Sequence, residues 1–238
     1  MKYIITGASS GIGKRCAERL LEKGNECLLL ARSEGILKEF NSRYSGAFYK
    51  VIDLNELETI ESVFTENQEL FPFDGLIHCA GIAPLKRIEE NEIDTIIQAY
   101  TVNVFSFIEL MRTFVQNGVC RDEASVVVMS SVVAHRGSNR QAIYSGSKAA
   151  LEGTVRCLAR ELIGRRIRVN SVVSGAVETE MLQRLRIESL NLDEKLKTHY
   201  PLGVVPIDDI CEIIEFLLSD KSKHITGASV PVDSGYLL

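Results

Sequence analysis

The 238-residue chain has no tryptophan, only five prolines and four histidines, and no long apolar run. No stretch approaches the roughly 18 apolar residues that a membrane-spanning helix needs. The opening Met1–Gly7 passes from a short apolar run straight into glycine, which is not the pattern of a secretory leader; the expected location is the cytoplasm. The six cysteines (16, 27, 79, 120, 157 and 211) form no CxxC pair. That excludes a disulfide framework and leaves buried thiols in a reducing compartment as the expectation. None of the four histidines has a partner at ligand spacing, so no metal is expected. A basic excess is also missing: 27 Lys and Arg stand against 32 Asp and Glu, for a net charge of -5. No nucleic-acid partner is expected from that balance. With no repeat, low-complexity tract or Pro/Ser linker, residues 1–238 are expected to form one domain.

What is present is alternation. Lys2–Thr6 is a short apolar, β-rich run. It leads into Gly7-Ala-Ser-Ser-Gly-Ile-Gly13, and Ile12, Cys16 and Leu20 then recur at helical spacing until Gly24. Glu26–Ala31 is a second strand. A glycine turn between a strand and a helix leaves backbone N–H groups free at the helix start, and without Cβ atoms a pyrophosphate can approach them. An NAD site usually carries Asp or Glu at the end of the second strand. Here Ala31 stands there and Arg32 follows, a cation suited to a 2′-phosphate, so NADP(H) is expected over NAD(H).

Further strands are expected at 47–52, 75–78, 125–129, 166–173 and 228–232, with helices over 34–43, 55–69, 93–115, 142–163 and 208–218. Strands alternating with helices predict an α/β fold, a Rossmann-type doubly wound parallel sheet with helices on both faces. Residues 180–204 read as a mobile helical lid over a cleft. Tyr144 and Lys148, four apart on one helix face, could form a pair in which the ammonium lowers the phenol pKa.

Taken together, the chain resembles the short-chain dehydrogenase/reductase family over essentially its whole length, in the compact branch that includes 3-oxoacyl-(acyl-carrier-protein) reductases. Thr6-Gly-Ala-Ser-Ser-Gly-Ile-Gly13 resembles the TGxxxGxG cofactor loop. Asp53 matches the acidic residue placed at the adenine. Asn103, Ser131, Tyr144 and Lys148 fall on the family's Asn-Ser-Tyr-Lys set, with Ser131 preferred to Ser130 by its 13-residue distance from Tyr144. Ile225-Thr-Gly and Val232-Asp-Ser-Gly235 are similar to the usual ending.

The resemblance implies reduction of a carbonyl to a secondary alcohol. Tyr144 would be the proton donor, Ser131 a hydrogen-bond donor to the same oxygen, Lys148 the group that lowers the Tyr144 pKa and holds the ribose, and Asn103 the anchor of a water chain. Gly7, Ser9, Ser10, Gly11, Ile12 and Gly13 would line the pyrophosphate. Asp53 and Leu54 would flank the adenine, and Ala80, Gly81, Val177 and Thr179 the nicotinamide. The substrate would be a small carbonyl compound, possibly carried as an acyl thioester, with Arg184 and Arg186 on the lid as candidates for an acidic carrier. Homodimers or homotetramers through the helices of Asn103 and Tyr144 are implied as well. Two alternatives stand beside this: an NAD-dependent alcohol or sugar dehydrogenase, and a non-catalytic NADP(H)-binding regulator. The chain departs from the pattern in three places. His78-Cys-Ala-Gly81 replaces NNAG, which predicts a weaker brace between central strands. Ser174-Gly175 replaces Pro-Gly, which predicts a looser loop. Ser234 stands where glycine is common.

Overall fold

The structure, a computed structural model, describes every residue except 189–191. Seven strands form one sheet: β1 (Lys2–Thr6), β2 (Glu26–Ala31), β3 (Ala47–Val51), β4 (Phe73–His78), β5 (Cys120–Ser131), β6 (Arg168–Ser174) and β7 (Ser229–Val232). Their order is β3-β2-β1-β4-β5-β6-β7, and every neighbouring pair is parallel. The chain runs outward from β1 through β2 to β3, then returns to lay β4 on the other side of β1. A crevice therefore opens between the carboxyl ends of β1 and β4.

Both faces of the sheet are covered, which explains the uninterrupted apolar strands. Ile4, Leu28, Leu76, Val126 and Val128 point to one face, and Tyr3, Ile5, Leu29, Ile77 and Val127 to the other. The first face is packed by α3 (Glu61–Thr65), α5 (Ser106–Phe114) and α6 (Ala142–Glu161). On the second face lie α1 (Gly11–Glu22), α2 (Glu34–Arg43) and α9 (Ile207–Leu218). Arg15–Asp208, Arg19–Glu215 and Lys23–Glu215 pairs join α1 to α9 along their outer edge.

Three expectations change. The helix expected over 55–69 is broken into a 3-10 turn at Leu57–Thr59, α3, and another 3-10 turn at Gln68–Leu70. The hydroxyls of Thr59 and Ser62 donate to the carbonyls of Glu56 and Thr59, a competition that polar residues offer to helix propagation. The long helix over 93–115 is α4 (Ile93–Tyr100), a π turn at Thr101–Phe105, and α5. Over 180–204 lie α7 (Glu180–Glu188) and α8 (Leu192–His199), with 189–191 outside the described residues. Leu182, Leu196 and Tyr200 bury one another, and Tyr236 of the tail stacks on Tyr200 at 4.9 Å.

Candidate active site

The glycine loop sits at the crevice. Gly7 (φ +67°) lies so close to the strand beyond β4 that a Cβ there would be 2.9 Å from the Ala80 nitrogen. At Gly13 a Cβ would lie 2.8 Å from the carbonyl carbon of Gly7 and closer still to its oxygen. The first turn of α1 carries no acidic residue, and Ser10 leads into it with an extended backbone and no side-chain cap. Thr179 closes over the loop, its methyl 3.6 Å from where a Cβ of Gly11 would be. A cradle of bare backbone at a helix N-terminus, free of negative charge, fits the pyrophosphate of a dinucleotide.

The rest of the expected cofactor set divides. Arg32 and Asp53 are exposed at the ends of β2 and β3. Arg32 has no ion pair among the described residues, while Asp53 accepts the Asn55 N–H at 3.0 Å. The side chains of Leu54 and Val177 are buried in the two core layers.

Ser131 ends β5, paired in register with Ser174 of β6. Tyr144 and Lys148 stand one turn apart on α6, and the Ser131 hydroxyl faces that of Tyr144. The expected electrostatics need correcting. Burial pushes the Tyr144 phenol above its ordinary value, and the neighbouring Ser131 hydroxyl pulls it back. Lys148 does not set this balance: its Nζ lies 5.8 Å from the Tyr144 ring centroid and donates to the Met129 carbonyl at 2.8 Å. Burial also acts on Lys148, bringing it down to about 8, against the opposing fields of Cys79 and Glu152. The site therefore holds a neutral phenol beside a weakened ammonium.

That ammonium makes a stability prediction. Lys148 titrates near 10.5 when solvated and at about 8 when folded. Below pH 8 the folded state bears the full cost of a buried charge, about 3 kcal/mol before its hydrogen bond is counted. Between pH 8 and 10.5 the unfolded chain holds a proton that the folded one lacks, so stability rises with pH in that window. Lys148→Met is expected to be more stable than the wild type by about 1–3 kcal/mol at pH 7. Urea denaturation at a series of pH values should show the gap closing as pH climbs from 8 to 10.5.

Asn103 lies in the π turn, fully buried. Its Oδ1 accepts the Ile82 N–H at 2.8 Å, and its Nδ2 donates to the Ile82 carbonyl and to Ser147 Oγ, both at 2.9 Å. Both Nδ2 donors are thus spent, and Oδ1 keeps one lone pair for a further donor such as a water. Ser147, which the sequence reading passed over, ties this brace to α6 between Tyr144 and Lys148. Gly81 completes the junction: a Cβ there would be 3.2 Å from Asn103 Oδ1 and 3.3 Å from Lys148 Nζ. Tyr100 of α4 presses its hydroxyl against Gly146 of α6, 2.6 Å from where a Cβ would sit.

Two departures from the family pattern resolve differently from expectation. The strand brace survives through other atoms: Thr6 Oγ1 accepts the Ala80 N–H at 3.1 Å and lies 3.0 Å from His78 Nδ1, linking β1 to β4. His78 is only half satisfied, because its buried Nε2 has no partner among the described residues; burial, aided by Lys148, lowers its pKa to about 3. The loop at Ser174 is tethered rather than loose, since its hydroxyl donates to the Ser130 carbonyl at 3.3 Å and Gly175 N–H to the Val232 carbonyl at 3.0 Å. On the lid, Arg186 pairs with Glu178 and Asp193 at the surface.

Comparison with known proteins places these features in a family. A family model described as enoyl-(acyl carrier protein) reductase matches residues 7–237. L-xylulose reductase of Caenorhabditis elegans is 33% identical over 239 residues, covering 99% of this chain and 95% of that protein. A 3-oxoacyl-(acyl-carrier-protein) reductase of Staphylococcus aureus strain Mu50 is 31% identical over 242 residues, covering 98% and 96%. Among solved structures, 4-hydroxyisoleucine dehydrogenase complexed with NADH superposes with a TM-score of 0.92 at 28% identity, covering 99% and 98%. A pyrophosphate cradle at the strand crossover, a serine–tyrosine–lysine group beside it and relatives matched end to end lead to one conclusion: the chain belongs to the short-chain dehydrogenase/reductase family and is an NAD(P)-dependent oxidoreductase.

Proposed function

We propose that the chain reduces a ketone or 3-oxoacyl carbonyl to a secondary alcohol with NADPH as reductant, with Tyr144 as proton donor and residues 1–238 acting as one cytoplasmic unit. The observation that carries this reading is the meeting of Tyr144 and Lys148, one turn apart on α6, with Ser131 at the end of β5. When bound, the nicotinamide supplies the hydride. Ser131 and Tyr144 hold the carbonyl oxygen, and Tyr144 passes its proton to that oxygen as negative charge develops on it. Held above its ordinary pKa, the phenol is a weaker acid that stays protonated at neutral pH, so its proton is in place when a carbonyl binds. Lys148, anchored on Met129, would hold a ribose hydroxyl of the cofactor and help return a proton to Tyr144. Asn103 keeps α4 and α6 in register with Gly81, and Thr179 covers the phosphate loop.

The phosphate choice rests on Arg32, an exposed cation with Ala31 before it. Arg32→Asp is expected to raise the NADPH dissociation constant by about tenfold or more while improving NADH, as judged by fluorescence titration of both. Tighter binding of NADH than NADPH by the wild type would favour the NAD-dependent dehydrogenase, a reading to which the NADH-bound 4-hydroxyisoleucine dehydrogenase gives weight. The direct test is NADPH oxidation with ketones, aldehydes, 3-oxoacyl thioesters and 2-enoyl thioesters. Turnover of the carbonyl compounds is expected. Turnover of the enoyl thioesters alone would overturn the proposal, and tight cofactor binding with no turnover would favour the regulator. A second copy of the chain is the expected partner. Ile93, Ile97, Phe105 and Ile108 are exposed along α4, the π turn and α5, and sedimentation should find dimers or tetramers.

A further inference from the structure

Glu152 lies on α6 one turn beyond Lys148, and only 4% of its side chain is exposed. It faces the sheet, where leucine or valine would pack without cost. A buried carboxylate is tolerated only when its lone pairs are satisfied. Here they are satisfied from three other segments. Ser130 Oγ of β5 donates to Oε1 at 2.5 Å, Ser229 Oγ of β7 donates to Oε2 at 2.8 Å, and His135 Nε2, beyond the end of β5, lies 3.0 Å away. His135 is 41% exposed and closes this network towards solvent.

The network acts beside the reacting groups. Lys148 holds the carbonyl of Met129, Glu152 holds the hydroxyl of Ser130, and the next residue is Ser131. Two consecutive turns of α6 thus grip two consecutive residues of β5 immediately before the serine that must meet Tyr144. From these contacts we propose that Glu152 is a positioning residue. Its carboxylate fixes the end of β5 on α6 and so sets how closely the Ser131 hydroxyl approaches that of Tyr144, and His135 seals the carboxylate in place. The proposal rests on the assignment of Ser131 and Tyr144 made above.

The test uses Glu152→Gln and the charge-neutral Ser130→Ala, each with a readout that needs no substrate. Tyr144 is titrated by its phenolate absorbance as a difference against Tyr144→Phe. The Ser131 hydroxyl beside the phenol favours the phenolate, so drawing it away raises the titration midpoint; removing the Glu152 charge acts in the opposite direction, since an anion nearby disfavours the phenolate. Ser130→Ala, which changes no charge, therefore decides the sign: a raised midpoint is expected there, and an unchanged or lowered midpoint in that variant overturns the proposal. In turnover, kcat is expected to fall by about tenfold with the NADPH dissociation constant unchanged, and the isotope effect from NADPH deuterated at the transferred position to grow. A merely structural role would lower the melting temperature while leaving the midpoint and isotope effect alone. If Glu152→Gln does not fold, Ser130→Ala alone decides by the same criterion. Failure of the underlying assignment looks different: Tyr144→Phe would keep its activity, whatever Glu152 does.

Discussion

Tyr144→Phe is expected to lower kcat for carbonyl reduction by about a thousandfold and to leave NADPH affinity within about twofold of the wild type. The substitution removes one oxygen from a ring packed against Val132, Val133 and Val173, so the fold has no cause to change. What would disappear is the proposed acid for the substrate oxygen, together with the hydroxyl that faces Ser131. General acid catalysis is worth about two to four powers of ten, and here the same group also carries part of the oxyanion stabilisation. Steady-state kinetics with a 3-oxoacyl thioester or a simple ketone, alongside NADPH fluorescence titration, separates the two effects. A variant that retains a tenth of wild-type kcat would remove Tyr144 from the mechanism.

Gly13→Ala should fail at the other end of the site. Its Cβ would meet the carbonyl of Gly7 and would lie 3.0 Å from the oxygen of Thr6, all of them backbone atoms that no rotamer change can move. Either α1 lifts from β1 or the phosphate loop opens. Both outcomes pull the helix N-terminus away from the position at which it meets a pyrophosphate. Cofactor affinity is expected to fall by about a hundredfold, with a loss of about 1–3 kcal/mol in stability from overpacking. Calorimetric titration with NADPH and thermal unfolding report the two losses separately. Wild-type affinity in the Gly13→Ala variant would mean that the loop is not the phosphate site.

Much of this was legible in the residues. Apolar runs such as Cys27–Ala31 and Val126–Met129 announce strands buried on both faces, and the strand–glycine–helix order around Gly7–Gly13 specifies the cradle. Tyr144 and Lys148 declare a shared helix face by spacing alone, and the family resemblance, through its 13-residue gap, favours Ser131 over Ser130. What stayed hidden depends on contacts between distant segments. No local pattern marks Ser147 as the partner of Asn103, nor Glu152 as the acceptor for three segments, since a glutamate on a helix most often faces water. The sign of the Tyr144 shift was missed for a related reason. Spacing puts Lys148 on the same face, yet only the packed structure reveals that its Nζ turns to Met129 while burial governs the phenol. Leu54 and Val177 were assigned by position in a motif, and their side chains turn into the core.

The π turn at Thr101–Phe105 can also be read as an edit in chain length. A π turn is an α-helix carrying one residue more than its hydrogen-bond ladder can accommodate, and such insertions persist where the distortion is useful. Removing one residue from this turn would restore a regular helix through 93–114, locally the better helix. It would also rotate everything on one side of the edit by about 100° relative to the other, since 3.6 residues make a turn. Asn103 could then not face Ile82 and Ser147 while Phe107 and Leu110 stayed in the core. The reading frame of this one helix is thus itself part of the site, and a deletion here would cost activity without any chemical group being lost.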